Sequence, residues 1–554
     1  MKRHVVIVLA ASLGCAAVAR GEVARVDIAK RVDIGQSGYE KVAGTIHFAI
    51  DPKNPHNAVI VDLDKAPPNA AGLVEFSADL YVIHPKDRTR GNGSAIVEVS
   101  NRGGRTLLRQ FNLGNVNPDP DDDSELGDKF LMRFGFTLVW VGWQLDAPRE
   151  DAALRIQVPT AVDGGSRHPV AGVGFVAVRD VATWLKHQPN DVAMVRYAYA
   201  YGRSQSGRFL RDFLYQGFNT DERDRQVFDG VMAHVAGAAR MSLNARGAAP
   251  NDGGAGHTAF PFADASMRDP VSGAQDGLLD NPRARAHQPK IFYTNTPVEY
   301  WGNARAAALI HTTPDGAADL KPQDNVRIYF LAGTQHVPSR FPPAVGSGQQ
   351  PDNSIDYGWT LRALLLAMHR WVNDGKTPPK SVYPTLEDRT LVKADALAWP
   401  AIPGVPSPRS LKGGQRVANR FVPGGAGAGA PLPLLVPAVD EDGSERAGIR
   451  LPDVAVPLAT YTGWNFGNPS NGSTAALVPN LGSSVPFPAT RAARAAAKDP
   501  RRSIEERYAS REAYLAQVEK AADALVLKGY LLIDDLPRIL QRSSDTWDFI
   551  VGGR

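Results

Sequence analysis

The most constraining segment of this chain is Tyr197-Ala198-Tyr199-Ala200-Tyr201-Gly202-Arg203-Ser204-Gln205-Ser206-Gly207-Arg208-Phe209-Leu210. An apolar strand runs into Gly-x-Ser-x-Ser, and a stretch over 206–216 follows with Phe209, Leu210, Phe213 and Leu214 on one helical stripe, closed by Gly217. A strand turns this sharply into a helix only where small side chains flank the turn, here Gly202 two residues before Ser204 and Ser206 two after. Such a unit belongs in a mainly parallel sheet covered on both faces.

The surrounding sequence supplies that sheet. Apolar runs at 95–99, 136–141, 228–231, 291–293 and 326–331 alternate with helical stretches such as 174–188, and 360–372 is strongly amphipathic. Upstream, 42–50 and 73–83 alternate apolar and polar residues, with turns at Asp51-Pro52 and Pro67-Pro68-Asn69. The expected organisation is an α/β fold in one domain over 20–554. An N-terminal β region covers 20–90, an aperiodic Gly- and Pro-bearing insertion at 240–289 reads as a lid, and 375–554 is a C-terminal extension. Within that extension, 423–437 reads as a flexible glycine-rich surface loop and 503–528 as a last amphipathic helix.

Charge and length narrow the function classes. With 43% hydrophobic and 22% charged residues among 554, the chain is globular and long enough for a large core. Lys and Arg number 62 against 58 Asp and Glu, and no run of like charges marks a nucleic-acid tail, so nucleic acid is not an expected partner. Lys2, Arg3 and His4 precede an apolar stretch over 5–18 and the small-x-small Ala17-Val18-Ala19, which reads as a signal peptide over 1–19 and places the mature protein in the periplasm or outside the cell. That stretch is too short for a comfortable span and no later apolar run is longer, so no stable membrane span is expected. Cys15, the single cysteine, lies inside it; Ser12 stands where a lipid-attachment motif needs an aliphatic residue, which leaves lipidation open. Cleavage would leave no cysteine for disulfides, thiolate catalysis or Cys-ligated metals.

The turn at 202–206 offers Ser204 as a nucleophile, since Gly202 stands behind it whereas Ser206 has a serine behind and Arg208 ahead. A serine needs a base and the base an orienting acid. Among 12 histidines, His336 follows the strand at 326–331 on the loop Ala332-Gly333-Thr334-Gln335, at the functional edge of such sheets. Glu299 follows the run at 290–293, between Ser204 and His336 in chain order; Asp280 and Asp315 are rivals. After the run at 95–99, Ser100-Asn101-Arg102-Gly103-Gly104-Arg105 could bring the Gly103 and Gly104 N–H groups to an oxyanion together with that of Gln205. Arg102, Trp143 and Trp301 are candidates for the substrate pocket.

Metal and nucleotide chemistry lack their residues. Asp119, Asp121, Asp123 and Glu125 resemble a calcium loop, but Ser124 and Phe130 stand where Gly and Glu are required, so a solvated turn is preferred. There is no His-Glu-x-x-His and no phosphate-cradling Gly-rich motif. No metal and no cofactor are expected.

Taken together, Asn101-Arg102-Gly103-Gly104, Gly135-Phe136 through Gly142-Trp143-Gln144, the 202–208 turn, Glu299-Tyr300-Trp301, Gly333-Thr334-Gln335-His336 and Tyr461-Thr462-Gly463-Trp464-Asn465 resemble the bacterial exported "alpha/beta hydrolase domain" family. The resemblance runs from about 39 to 530. It implies an α/β-hydrolase fold with Ser204, Glu299 and His336 as the triad, and implies no substrate. The expected activity is hydrolysis of a small-molecule carboxylic ester through an acyl-enzyme. An amidase or peptidase with the same triad, or a non-catalytic binding protein of this fold, remain alternatives.

Overall fold

A computed structural model describes residues 22–148, 153–248, 259–269, 272–301, 306–411, 431–471 and 474–552, with the backbone of short strand pairs at 416–417, 421–422 and 425–426. The expected signal peptide and Cys15 lie outside the described residues.

Ten strands form the central sheet: β1 (Glu22–Asp33), β2 (Tyr39–Ile50), β3 (Val74–Pro85), β4 (Ser94–Val99), β5 (Thr137–Val141), β6 (Ile156–Gln157), β7 (Tyr197–Arg203), β8 (Gly230–His234), β9 (Lys290–Asn295) and β10 (Val326–Phe330). Their spatial order is β1-β2-β3-β5-β4-β7-β8-β9-β10, with β6 beside β3. From β5 to β10 every pairing is parallel, whereas β1, β2 and β3 join antiparallel, so the N-terminal β region continues the main sheet.

Burial explains the difference in composition. Residues of β4, β5 and β8 are buried on both faces, which requires continuous apolar runs. The edge strand β1 is almost wholly exposed; its alternating charges and two register shifts discourage edge-to-edge pairing. In β7 the side chains divide by parity. Ala198 and Ala200 face the core cluster under α1 (Val173–His187) and α2 (Gln205–Tyr215), where Phe175 packs on Phe209 at 4.5 Å. Tyr199 and Tyr201 face the opposite cluster, under α4 (Gly358–Asp374), and the Tyr199 hydroxyl lies 3.0 Å from His369 Nδ1. A short helix α3 (Pro297–Trp301) follows β9.

Several expected elements differ. The strand expected at 228–231 starts two residues later, because Asn219 holds the Phe228 backbone from both sides. The helix expected over 503–528 is broken: Ser503 caps a single turn (Ile504–Arg507), and Ser510 caps a separate helix, α5 (Arg511–Leu527). A further helix, α6 (Leu536–Val551), completes the extension. The end of the expected loop at 423–437 is a strand, Leu435–Pro437, paired with Leu391–Lys393 because Leu435 and Val436 are buried; most of 412–430 lies outside the described residues. The described part of the insertion at 240–289 packs behind α2 and β9, with Arg211 donating to the Phe262 carbonyl and Tyr293 donating to Asp264 at 2.8 Å.

Candidate active site

Four loops at the C-terminal ends of parallel strands converge, the edge where such sheets bind ligands. β7 ends at Ser204, which joins it to α2 with φ 58° and ψ −112°. A non-glycine residue at positive φ is strained, and the surroundings hold it there. The Ser204 N–H donates to the His234 carbonyl at 2.8 Å, and the Ser204 carbonyl accepts from the Arg208 N–H at 3.0 Å. The chain crosses itself so closely that a Cβ on Gly202 would lie 2.4 Å from the Ser206 carbonyl oxygen. Gly207 is also confined, though less tightly, a Cβ there lying 2.9 Å from the His234 carbonyl oxygen.

A continuous hydrogen-bonded line leads away from this serine. Ser204 Oγ lies 2.9 Å from His336 Nε2, and His336 Nδ1 lies 2.8 Å from Glu299 Oε1. The other Glu299 oxygen accepts from the Thr296 N–H at 2.8 Å and the Thr296 hydroxyl at 2.6 Å. Glu299 is fully buried and His336 4% exposed, so the carboxylate is shielded from water while it faces the imidazole. Such an array can take a proton from the serine and stabilise the resulting imidazolium.

Groups not foreseen from sequence support it. Thr296 precedes Glu299 by the three residues of a Ser/Thr-x-x-Glu capping box, a legible signal, and the Glu299 carboxylate accepts the Thr296 backbone N–H as in such a box. The Tyr357 hydroxyl donates to the His336 carbonyl at 2.6 Å. Glu445, from the C-terminal extension, accepts the Gly333 N–H at 2.7 Å at the root of the His336 loop, and burial pushes its carboxyl up to about 8. His234 is fully buried, with Nδ1 2.8 Å from the Thr294 hydroxyl; burial holds its pKa down at about 3, so it is a neutral neighbour at physiological pH. No short sequence signal marks Tyr357 or Glu445, which arrive from distant segments.

The rival acids lie elsewhere. Asp280 pairs with Arg285, and Asp315 accepts from the Thr313 hydroxyl in an exposed turn. The turn after β4 is anchored by Asn101, whose side chain donates to the Arg203 carbonyl at 3.2 Å. Arg102 and Gly103 have φ of 52° and 79°, and a Cβ on Gly103 would meet the Leu154 backbone at 2.9 Å. The Gly104 N–H closes this turn on the Asn101 carbonyl at 3.0 Å, so it is spent within the turn and is not a donor toward Ser204. Gln205 is the first residue of α2, whose N–H groups point out of the helix end that Ser204 caps.

Beside the Ser–His pair lies a cleft of about 590 Å³. It is bounded by Arg203 and Val337, the chain neighbours of Ser204 and His336, and Arg102 lines it. Trp143 and Trp301 do not. Trp143 donates to the Ser100 carbonyl at 2.7 Å and packs on Phe209, while Trp301 is buried against Trp464, because each ring finds a core to fill. None of the described residues of 240–289 lines the cleft. The acidic stretch at 119–125 is tied internally: Asp119 and Asp121 pair with Lys41 at 2.7 Å, and Glu125 completes a capping box with Asp122.

A parallel sheet in this order, with a serine on its strand-to-helix turn and a histidine and an acid on later loops, defines an α/β-hydrolase fold. The chain belongs to the alpha/beta hydrolase domain family, whose model matches residues 57–541. Among solved structures, acetyl xylan esterase 1 from Thermoanaerobacterium sp. JW/SL YS485 is similar at 11% identity over 38% of this chain and 52% of that one, with a TM-score of 0.23. Glucuronoyl esterase from Solibacter usitatus matches at 12% identity over 56% and 84%, with a TM-score of 0.26. Est1E from Butyrivibrio proteoclasticus matches at 11% over 42% and 76%, with a TM-score of 0.18. The chain thus spans about half the length of the acetyl xylan esterase. No curated protein matches the sequence.

Proposed function

We propose that this protein is an exported serine hydrolase that cleaves small-molecule carboxylic esters. The observation that carries the reading is the unbroken line Glu299–His336–Ser204 at 2.8 and 2.9 Å. Ser204 Oγ attacks the ester carbonyl carbon while its proton passes to His336 Nε2. The developing oxyanion is received by backbone N–H groups of Gln205 and of the turn after β4, where Gly103 is the candidate because Gly104 is engaged. The bond to the alcohol oxygen breaks as His336 returns the proton to it, leaving an acyl-enzyme. Water then attacks, giving its proton to His336, and the acid leaves as Ser204 regains its hydrogen. Glu299 orients the imidazole throughout. Export rests on the basic and apolar leader and Ala17-Val18-Ala19.

Reaction with a fluorophosphonate probe tests the core of this reading. Ser204→Ala abolishes both labelling and ester turnover with an unchanged melting temperature. Labelling that survives in Ser204→Ala and disappears in Ser206→Ala would move the nucleophile. A matched ester and amide pair separates esterase from amidase, the ester turning over faster. N-terminal sequencing of the protein recovered outside the cytoplasm, starting after Ala19, tests export.

A further inference from the structure

We propose that the cleft beside Ser204 selects esters that carry a second, ionised carboxylate. The proposal rests on the ester-hydrolase reading and adds the charge of the substrate. The cleft wall holds Arg102, Arg105, Arg109, Arg203, Arg340 and Arg542 against one carboxylate, Asp356. The chain as a whole is nearly balanced, at 62 basic to 58 acidic residues, so this concentration is local.

What sets these arginines apart is that they share one concave wall; among the described residues Arg88, Arg167 and Arg370 also form no ion pair, but they are exposed on the surface outside that wall. Elsewhere, several buried arginines are matched with acids, Arg179 with Asp180 at 2.6 Å, Arg362 with Asp128 at 2.8 Å and Arg501 with Asp499 at 2.7 Å, while the buried Arg211 is held by carbonyls and the Tyr293 ring. In the cleft, Arg105 and Arg542 are held by ring faces and carbonyls. Arg105 stacks on Tyr81 and donates to the Pro118 carbonyl, its Nη2 lying 3.9 Å from Asp119; Arg542 stacks on Phe341 and donates to the Ser354 carbonyl. Among the described residues, the guanidinium groups of Arg102, Arg109, Arg203 and Arg340 form no ion pair and no hydrogen bond. Asp356 carries at most one negative charge and cannot neutralise them all; its Oδ1 accepts the Gly358 N–H at 2.8 Å, and burial raises its pKa.

Like charges gathered in a concave wall repel one another and destabilise the fold, while the same geometry focuses their field into the cleft. A bound anion offsets the repulsion, and guanidinium forks match a carboxylate two bonds at a time. Leu113, Val116 and Pro338 lie between the arginines and suit the carbon skeleton of an organic acid. Arg203 directly precedes Ser204, so an anion held there sits within one small molecule's reach of the reacting oxygen. Acid-sugar esters and half-esters of dicarboxylic acids both satisfy this chemistry.

Four probes decide it. Mono-4-nitrophenyl succinate carries the carboxylate on the acyl side and 4-acetoxybenzoate on the alcohol side; the neutral controls are the corresponding amides. The expected result is a kcat/KM at least about tenfold higher for the acid than for its amide in one arm, equivalent to ~1.4 kcal/mol, and the winning arm identifies the half that faces the arginines. The preference shrinks as salt is raised. Arg109→Gln combined with Arg340→Gln lowers the acid-to-amide ratio several-fold through KM, and the double lysine replacement restores part of it. A ratio of one or below in both arms overturns the proposal. Calorimetry of succinate against succinamide reads binding independently of turnover: tighter binding of succinate is expected, and equal binding or none refutes the charge preference. Fluorophosphonate labelling reports on Ser204 separately, so a labelled enzyme with no charge preference sinks this inference alone.

Discussion

Ser204 owes its exposure to a conformation that costs about 1–3 kcal/mol and persists because its neighbours leave no other path. Gly202 is the tightest of them, its missing Cβ replaced by the Ser206 carbonyl. Gly202→Ala therefore forces backbone movement, and a loss of about 1–3 kcal/mol in urea unfolding together with most of the activity is expected. Glu299 acts one bond further out. Glu299→Gln keeps its volume but turns an amide donor toward His336 Nδ1, favouring the wrong tautomer, so kcat falls by about 10⁴ as in a comparable triad with KM nearly unchanged. Thr296→Val removes only the hydroxyl donor to Glu299 and leaves the backbone N–H, so a drop of about tenfold is expected, the scale of one charge-assisted hydrogen bond. Asp280→Asn and Asp315→Asn, both far from this line, leave kcat near that of the parent; steady-state kinetics on one chromogenic ester reads all four.

At the level of elements, strand ends place Ser204, Glu299 and His336, but the His336 loop is steadied from outside the sheet. Glu445 supplies that support in a buried position that keeps it protonated to about pH 8, above its ordinary value of 4.5. Below both values the folded and unfolded chains bind this proton equally. As pH rises from about 4.5 toward 8, the unfolded chain loses the proton while the folded chain retains it, so this residue's contribution to stability declines across that window. Glu445→Gln stays neutral and still offers an acceptor to the Gly333 N–H. Its melting temperature should fall less between pH 5 and pH 8 than that of the parent, with scanning calorimetry as the measurement.

Across the whole molecule, the C-terminal extension is fastened to the sheet domain by buried charge. Arg362 on α4 reaches Asp128 at 2.8 Å and Asp535, at the start of α6, at 3.0 Å, and donates to the Phe111 carbonyl. Arg362 and Asp535 are each about 1% exposed in their side chains. Removing the arginine strands the buried Asp535, while Asp128 keeps Arg538 at 2.8 Å, so Arg362→Met is expected to lower stability by about 3–5 kcal/mol in urea unfolding. Because α6 also carries Arg542 to the cleft, the same change should weaken turnover more than stability alone explains.

The strand at 197–203, the turn at 202–206 and the helix after it were legible because each is encoded within a few consecutive residues: alternation, two small flanking side chains and one apolar stripe. The order Ser204, Glu299, His336 along the chain was legible for the same reason, each following an apolar run. α6 was not, since its buried positions, Ile539, Ser543 and Thr546, are partly polar and blur the helical period. Nor was the break at Ser510, where local capping overrides a continuous amphipathic pattern. Tertiary structure alone decided that Trp143 and Trp301 fill cores, that the Gly104 N–H is consumed in its own turn, and that Glu445 meets Gly333. It also decided the charge of the cleft, because its arginines come from segments as far apart as Arg102 and Arg542. Each of these depends on which distant surfaces meet, and periodicity along a chain carries no information about that.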